Sequence, residues 1–127
     1  MTSEGLKSED KVRKKLEVSL GKKLVKKKLV IGCDSAGNRK EKEFDIVSED
    51  GEIVGEIKDY KFSNSTTGTA GYSNVRKYRL IAECFFLERV SARRKILALT
   101  NRELAEQFRK DMDGLKSDVE IMHVPIR

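Results

Sequence analysis

Glu43-Phe44-Asp45-Ile46-Val47-Ser48-Glu49-Asp50-Gly51-Glu52-Ile53-Val54-Gly55-Glu56-Ile57-Lys58 is the stretch on which the reading of this 127-residue chain turns. Two short runs rich in β-branched residues flank an Asp-Gly pair, the strongest local signal for a β-hairpin. With Asp50 and Gly51 as the two central turn residues, Glu49 pairs with Glu52, Asp45 with Glu56 and Glu43 with Lys58. A four-residue loop over Ser48 to Gly51 shifts the pairing by two and leaves the carboxylates diagonal on one face, because side-chain direction alternates along a strand. In both registers two carboxylates and an ammonium converge.

Like charges facing each other across a hairpin destabilise it, so a fold that builds such a pair needs something to offset the repulsion. A divalent cation does so. Asp45, Glu56 and the backbone carbonyl of Ile57 are hard oxygen ligands, and Mg2+ takes one or two carboxylates while keeping waters or phosphate oxygens in its other positions. Lys58 then stands beside the ion. Cross-strand ion pairing on a solvated face would account for the same residues without a metal.

The length suits one domain over residues 1–127, large enough for a real core and too short for two ordinary domains. Cys33 and Cys84 form no metal-binding spacing or disulfide framework, and each lies in an apolar run, which points to a reducing compartment. No apolar run approaches the roughly 18 residues of a membrane span. The opening Met1-Thr2-Ser3-Glu4-Gly5 lacks a signal-peptide core. These features predict a cytoplasmic protein with no membrane partner.

The net charge of +6 is unevenly placed. Residues 7–28 hold ten Lys/Arg against three acids, residues 41–60 hold two against eight, and residues 61–127 hold thirteen against eight. Basic flanks around an acidic centre suit a polyanion that is drawn in by the flanks and worked on by a metal at the centre. A solvated lysine-rich face is the simpler account of the first run.

Val12, Leu16 and Leu20 recur at helical spacing over residues 8–20, with Gly21 as a stop. Glu17 is the only acid of this helix beyond its first turn; it either pairs with Arg13 or Lys14 on the surface or faces the acidic hairpin. Leu29-Val30-Ile31 reads as a strand ending near Cys33, and Asp34 to Asn38 as a turn, so three antiparallel strands form a meander. The third has apolar residues of both parities (Ile53, Val54, Ile57), as a central strand covered on both faces does. Ser63 to Gly71 is a loop of small hydroxyl residues and glycines, suited either to connect or to hold phosphate oxygens.

From Tyr72 to about Arg89, Val75, Tyr78, Ile81, Ala82, Phe85 and Phe86 predict the apolar face of a long helix, with Arg76, Lys77 and Arg79 in its first turns. Arg94 to Thr100 reads as a buried strand and Thr100 to Glu103 as a capping box. A helix carrying Leu104, Phe108, Met112 and Leu115 follows, and Val119 to Val124 forms a last strand. His123, the only histidine, falls in that strand, where it packs rather than catalyses. The alternation implies parallel pairing by crossover connections.

Helix, three-strand meander, helix, strand, helix, strand, with Asp45 on the second strand and Glu56-Ile57-Lys58 on the third, resembles the PD-(D/E)XK nuclease superfamily over nearly the whole chain. The resemblance implies a restriction-endonuclease-like α/β fold of order α-β-β-β-α-β-α-β, its mixed central sheet flanked by helices. The tripeptide alone is unspecific, since acid-X-Lys recurs at Glu9-Asp10-Lys11 and Asp59-Tyr60-Lys61. The first copy opens a helix and the other has the wrong strand parity. Phe44 stands where the name-giving proline would. Asn74-Val75-Arg76-Lys77-Tyr78 is similar to a Gln-X-X-X-Tyr motif of some branches, with Asn for Gln.

By this resemblance Asp45 and Glu56 bind Mg2+ or Mn2+ with help from the Ile57 carbonyl, Lys58 orients or activates the attacking water, and Glu17 is the acid of the first helix. The implied activity is metal-dependent hydrolysis of phosphodiester bonds in DNA, by endo- or exonucleolytic cleavage. DNA would be held by Lys14, Lys22, Lys23, Thr66, Thr67, Arg76, Lys77 and Arg79, and cleavage of both strands would call for a homodimer. Two alternatives stay open: a nucleic-acid-binding or scaffolding protein that keeps the fold without catalysis, and an RNA nuclease.

Overall fold

A computed structural model describes residues 4–61, 63–64, 70–71 and 73–126. The elements run α1 (Glu4–Leu20), β1 (Leu24–Cys33), β2 (Arg39–Ser48), β3 (Ile53–Lys58), β4 (Ser63–Asn64), β5 (Ala70–Gly71), α2 (Asn74–Glu88), β6 (Arg94–Leu99), α3 (Arg102–Met112) and β7 (Val119–His123). The fold is α/β, with a mixed five-stranded sheet in the order β1-β2-β3-β6-β7 and a separate two-residue ladder of β4 with β5. The meander pairs antiparallel. β6 lies parallel to β3, and β7 parallel to β6. Among the described residues no helix is long and apolar enough to cross a membrane.

β3 is the middle strand, and its two parities feed two cores. Ile53 and Ile57 join Val12 and Leu16 of α1 with Ile46, Ile96 and Ala98. Val54 joins Phe44, Val47, Leu80, Leu87, Leu97, Leu99, Leu104 and Phe108 beneath α2 and α3. Gly55 belongs to the α1 face, where a Cβ would lie 2.6 Å from the Ile96 carbonyl oxygen and 3.1 Å from Ile46 Cδ1. Only a residue without a side chain lets β3 approach β6 so closely there.

The β2–β3 hairpin keeps the first of the two expected registers by a different turn. Ile46 faces Gly55 and Val47 faces Val54, which carries Asp45 level with Glu56. The loop, however, spans residues 49–52. The Gly51 N–H donates to the Ser48 carbonyl (2.9 Å), so Glu49 and Asp50 are the central residues of the turn. A two-residue type I′ turn needs positive φ at both central positions. Here Gly51 alone has it (φ 73°), and no non-glycine among the described residues does. The Ser48 hydroxyl donates to Asp50 Oδ1 (2.7 Å) and accepts from the Ile53 N–H (2.9 Å), while Asp50 Oδ1 accepts from the Glu52 N–H (3.0 Å). Side-chain acceptors thus saturate the turn and hold the register.

A β-bulge lies in β2 shortly before that turn, in the pairing with β1. Val25 faces Val47 and Lys27 faces Phe44, so Asp45 and Ile46 together oppose Lys26. The extra residue explains how Phe44 and Val47, three apart, enter the same core, and bulges of this kind re-aim the side chains they carry.

Two helices depart from expectation. The apolar set read for α2 is divided: Val75, Tyr78 and Phe85 lie on the outer face, 62%, 63% and 51% exposed, whereas Ile81 and Phe86 are partly buried against the core. The inner stripe is Leu80, Glu83, Cys84 and Leu87. The helix has two apolar faces, and the buried one contains an acid. α3 is capped by Asn101, whose side chain accepts from the Leu104 N–H, rather than by Thr100. The Thr100 hydroxyl instead donates to Asp59. Leu115 lies beyond α3 and is exposed.

Candidate active site

At Asp45 and Glu56 the regular ladder between β2 and β3 gives way to side-chain acceptors. Glu56 Oε1 accepts from the Asp45 N–H (3.2 Å) and Asp45 Oδ2 accepts from the Ile57 N–H (3.0 Å), so each carboxylate bonds the backbone of the opposite strand. Both residues are buried, 7% and 4% exposed. Arg13 of α1 donates to the Asp45 carbonyl (3.0 Å) and anchors the bulge from the other side.

The two carboxylates have different ionic partners. Asp45 Oδ1 lies 3.8 Å from Lys26 Nζ, which also reaches Glu9 of α1 (3.3 Å). Glu56 Oε1 lies 3.2 Å from Lys42 Nζ. That ammonium is also 3.2 Å from Glu83 Oε1, and Glu83 Oε2 lies 2.9 Å from Lys58 Nζ. Glu56, Glu83, Lys42 and Lys58 therefore form one cluster under α2, its acids buried and its lysines partly exposed, bordered by the Phe44 and Phe86 rings, whose centroids are 4.8 and 5.5 Å from Lys42 Nζ. Among the described residues Glu83 Oε1 is the buried side-chain oxygen with no hydrogen-bond donor on it.

The electrostatics follow from burial. Desolvation, then the nearby charges of Asp45 and Glu83, push the Glu56 carboxyl up to about 8, against the pull of Lys42. For Lys58, burial works against the ammonium, but the hydrogen bond and charge of Glu83 more than offset it and leave its pKa above the ordinary value. Lys58 is thus held as a cation. Burial also pushes the neighbouring Cys84 thiol up to about 12. Cys84 and the exposed Cys33 are both free.

The remaining expected site residues are scattered. Glu17 does not join the cluster: its carboxylate accepts from the Leu24 N–H (2.9 Å) and ties the end of α1 to β1. Ile57 takes part through its N–H, which donates to Asp45 Oδ2. Glu43 is exposed and faces Lys28 of β1, because the bulge removes it from the register with Lys58. Lys14 and Lys23 are exposed on α1 and its exit. Lys22 is engaged by Asp50 (2.6 Å) and Glu52 (3.4 Å) at the turn. Arg76 donates to the Lys61 carbonyl (3.2 Å) and stacks over Tyr60, placing the basic start of α2 beside the end of β3 that carries Lys58. Arg79 is exposed and Lys77 half-buried. Thr66 and Thr67 lie outside the described residues.

Glu83 and Lys42 are the residues that sequence reasoning missed. The signal for Glu83 was an acid within the stripe Leu80, Cys84, Leu87, where an apolar residue would be expected. Lys42 carries no comparable mark, since it sits in a run of alternating charges.

Asp45, Glu56 and Glu83 offer only carboxylate oxygens, the donor type that Mg2+ and Mn2+ take, and the donorless Glu83 Oε1 is an acceptor to spare. In donor chemistry the residues fit a divalent cation. They are not preassembled: among the described residues no three acidic, cysteine or histidine side chains already converge as a metal-holding group. Lysine ammoniums stand between them. In comparisons with known proteins, no family model, curated protein or solved structure matched this chain.

Proposed function

We propose that this chain is a metal-dependent nuclease that hydrolyses phosphodiester bonds in DNA, built on a restriction-endonuclease-like arrangement of its sheet. The observation that carries the reading is the buried interlock of Asp45 with Glu56, flanked on one strand by Lys58 and met from α2 by Glu83. Buried ion pairs seldom stabilise a fold more than apolar residues of the same volume, so such a cluster in the middle of a sheet is better explained by chemistry than by stability.

Asp45, Glu56 and Glu83 would hold the cation. A divalent cation supplies a Lewis acid for the phosphoryl oxygens and a hydroxide-like nucleophile at neutral pH. The protein's own groups do the rest. The Asp45–Ile57 and Glu56–Asp45 hydrogen bonds fix the carboxylates to opposite strands, so their separation is set by the sheet rather than by flexible side chains. Lys58, kept protonated by Glu83, acts as a positive charge toward the phosphate rather than as the base. Exposed cations on α1, its exit and the start of α2 contact the nucleic-acid backbone without reading its sequence.

The test is incubation of purified protein with Mg2+ or Mn2+ and single-stranded, double-stranded and branched DNA, with RNA alongside. Cleavage of DNA by the native protein and none by Asp45→Ala is the expected result. No cleavage of any DNA by the native protein under these conditions refutes the proposal, and cleavage of RNA alone transfers it to an RNA nuclease.

A second reading is favoured by one observation: Glu56, Glu83, Lys42 and Lys58 already serve as one another's polar partners. On that reading the protein binds nucleic acid without catalysis. It predicts no divalent uptake in calorimetry and a salt-dependent DNA affinity unchanged by Glu56→Gln.

A further inference from the structure

Lys42 occupies the space in which Glu56 and Glu83 would meet a cation. Its ammonium lies 3.2 Å from Glu56 Oε1 and 3.2 Å from Glu83 Oε1, and its only other close polar contact among the described residues is the Glu43 carbonyl at 3.2 Å. The side chain is 21% exposed, which leaves its head a way out. It projects from β2 two residues before Phe44, and its charge rests over the Phe44 and Phe86 rings.

From this geometry, and resting on the metal-dependent reading above, we infer that Lys42 is a tethered counter-cation: it holds Glu56 and Glu83 together in the metal-free protein and is expelled when a divalent cation binds. The charge balance requires the exchange. Ionised as ligands, Asp45, Glu56 and Glu83 sum with Lys42 and Lys58 to −1, so a divalent cation brings the set to +1, and loss of the Lys42 head brings it to neutral. Lys42 would also repel a divalent cation held by Glu56 and Glu83, since its ammonium lies 3.2 Å from an oxygen of each and like charges repel strongly at low effective dielectric. Glu83 Oε1, close to Lys42 but without a properly aligned donor, is the oxygen most readily passed from one cation to the other. Once expelled, the ammonium hangs at the mouth of the site, where an incoming phosphate would meet it.

The experiment is calorimetric titration of the native protein, Lys42→Met and Lys42→Arg with Mn2+ alone, together with thermal melts. Lys42→Met keeps the length of the stem and removes the charge. It is expected to bind Mn2+ at least about tenfold more tightly than the native protein. Its metal-free form should melt lower, and its gain in Tm with Mn2+ should be larger. Lys42→Arg should bind no more tightly than native. Equal Mn2+ affinity of native protein and Lys42→Met overturns the inference while leaving the metal site standing. Absence of Mn2+ binding in both overturns the site and the inference together. A measurement on native protein guards against a variant that fails to fold: acetylation of Lys42, followed by mass spectrometry, should accelerate when Mn2+ is added, and an unchanged rate overturns the exchange.

Discussion

On one face of β3, Ile53 and Ile57 enter an apolar cluster with Val12 and Leu16 of α1, and Gly55 lets the strand press on Ile96. On the other face Val54 is followed by Glu56 and Lys58, which meet Lys42 and Glu83 beneath α2. The same six residues thus build a dry packing surface and a buried charged one. The difference teaches where the molecule gives up stability. The β3 residues on the α1 face meet only apolar neighbours in their cluster, whereas those on the α2 face belong to a set of four ionic groups that apolar side chains of similar volume could replace. Mutations on the two faces should accordingly fail in different ways.

Ile53→Ala should show the largest effect on folding. The residue is 4% exposed, and truncating a buried isoleucine typically costs about 2–5 kcal/mol. Denaturant unfolding should register that loss, while the protein that remains folded keeps its cleavage rate per molecule. A fall in activity at full folding would blur the division between the faces. Glu83→Gln should act on the site first: cleavage and Mn2+ affinity drop by at least about 10–100-fold, while the metal-free Tm falls by less than on the α1 face, through the loss of an ionic partner for Lys58. A loss of folding with activity intact would return Glu83 to the role of a structural ion-pair partner.

A smaller effect concerns pH. In the unfolded chain the Glu56 carboxyl titrates near its ordinary 4.5, whereas in the folded protein it holds its proton up to about 8. Between those values the folded state binds the extra proton, so this group makes the metal-free protein less stable as pH rises from about 4.5 to 8 and adds no further slope above that. Glu56→Gln removes the term. Melting curves from pH 5 to 8 should show Glu56→Gln gaining on native protein as pH increases; parallel curves would show that the carboxyl is not held neutral by its surroundings.

The contrast between the faces also marks what could be read in advance. The two parities of β3 were legible because Ile53, Val54 and Ile57 are apolar whichever turn closes the hairpin, and the order of the helices and of the five sheet strands followed from turns and periodicity, though the two-residue strands β4 and β5 fall where a loop was expected. The turn itself was not. It depends on the Ser48 hydroxyl and the Asp50 carboxylate filling backbone hydrogen bonds, which the Asp-Gly pair does not announce. The bulge at Asp45–Ile46 arises from pairing with β1 and has no local signature, so Glu43 was set opposite Lys58 when its neighbour is Lys28. On α2 apolar residues stand on both faces, and the inner stripe gives one of its places to Glu83, so periodicity alone does not say which face is buried. Glu17 was chosen for its place on the helix, and its carboxylate proves to serve the turn into β1.

A crystal soaked in Mn2+ tests the central claim most directly, since anomalous scattering locates the ion whatever the substrate. The account predicts a peak between Asp45, Glu56 and Glu83, with the Lys42 head withdrawn from the carboxylates. An empty site at saturating Mn2+, with Lys42 still bridging Glu56 and Glu83, would contradict it.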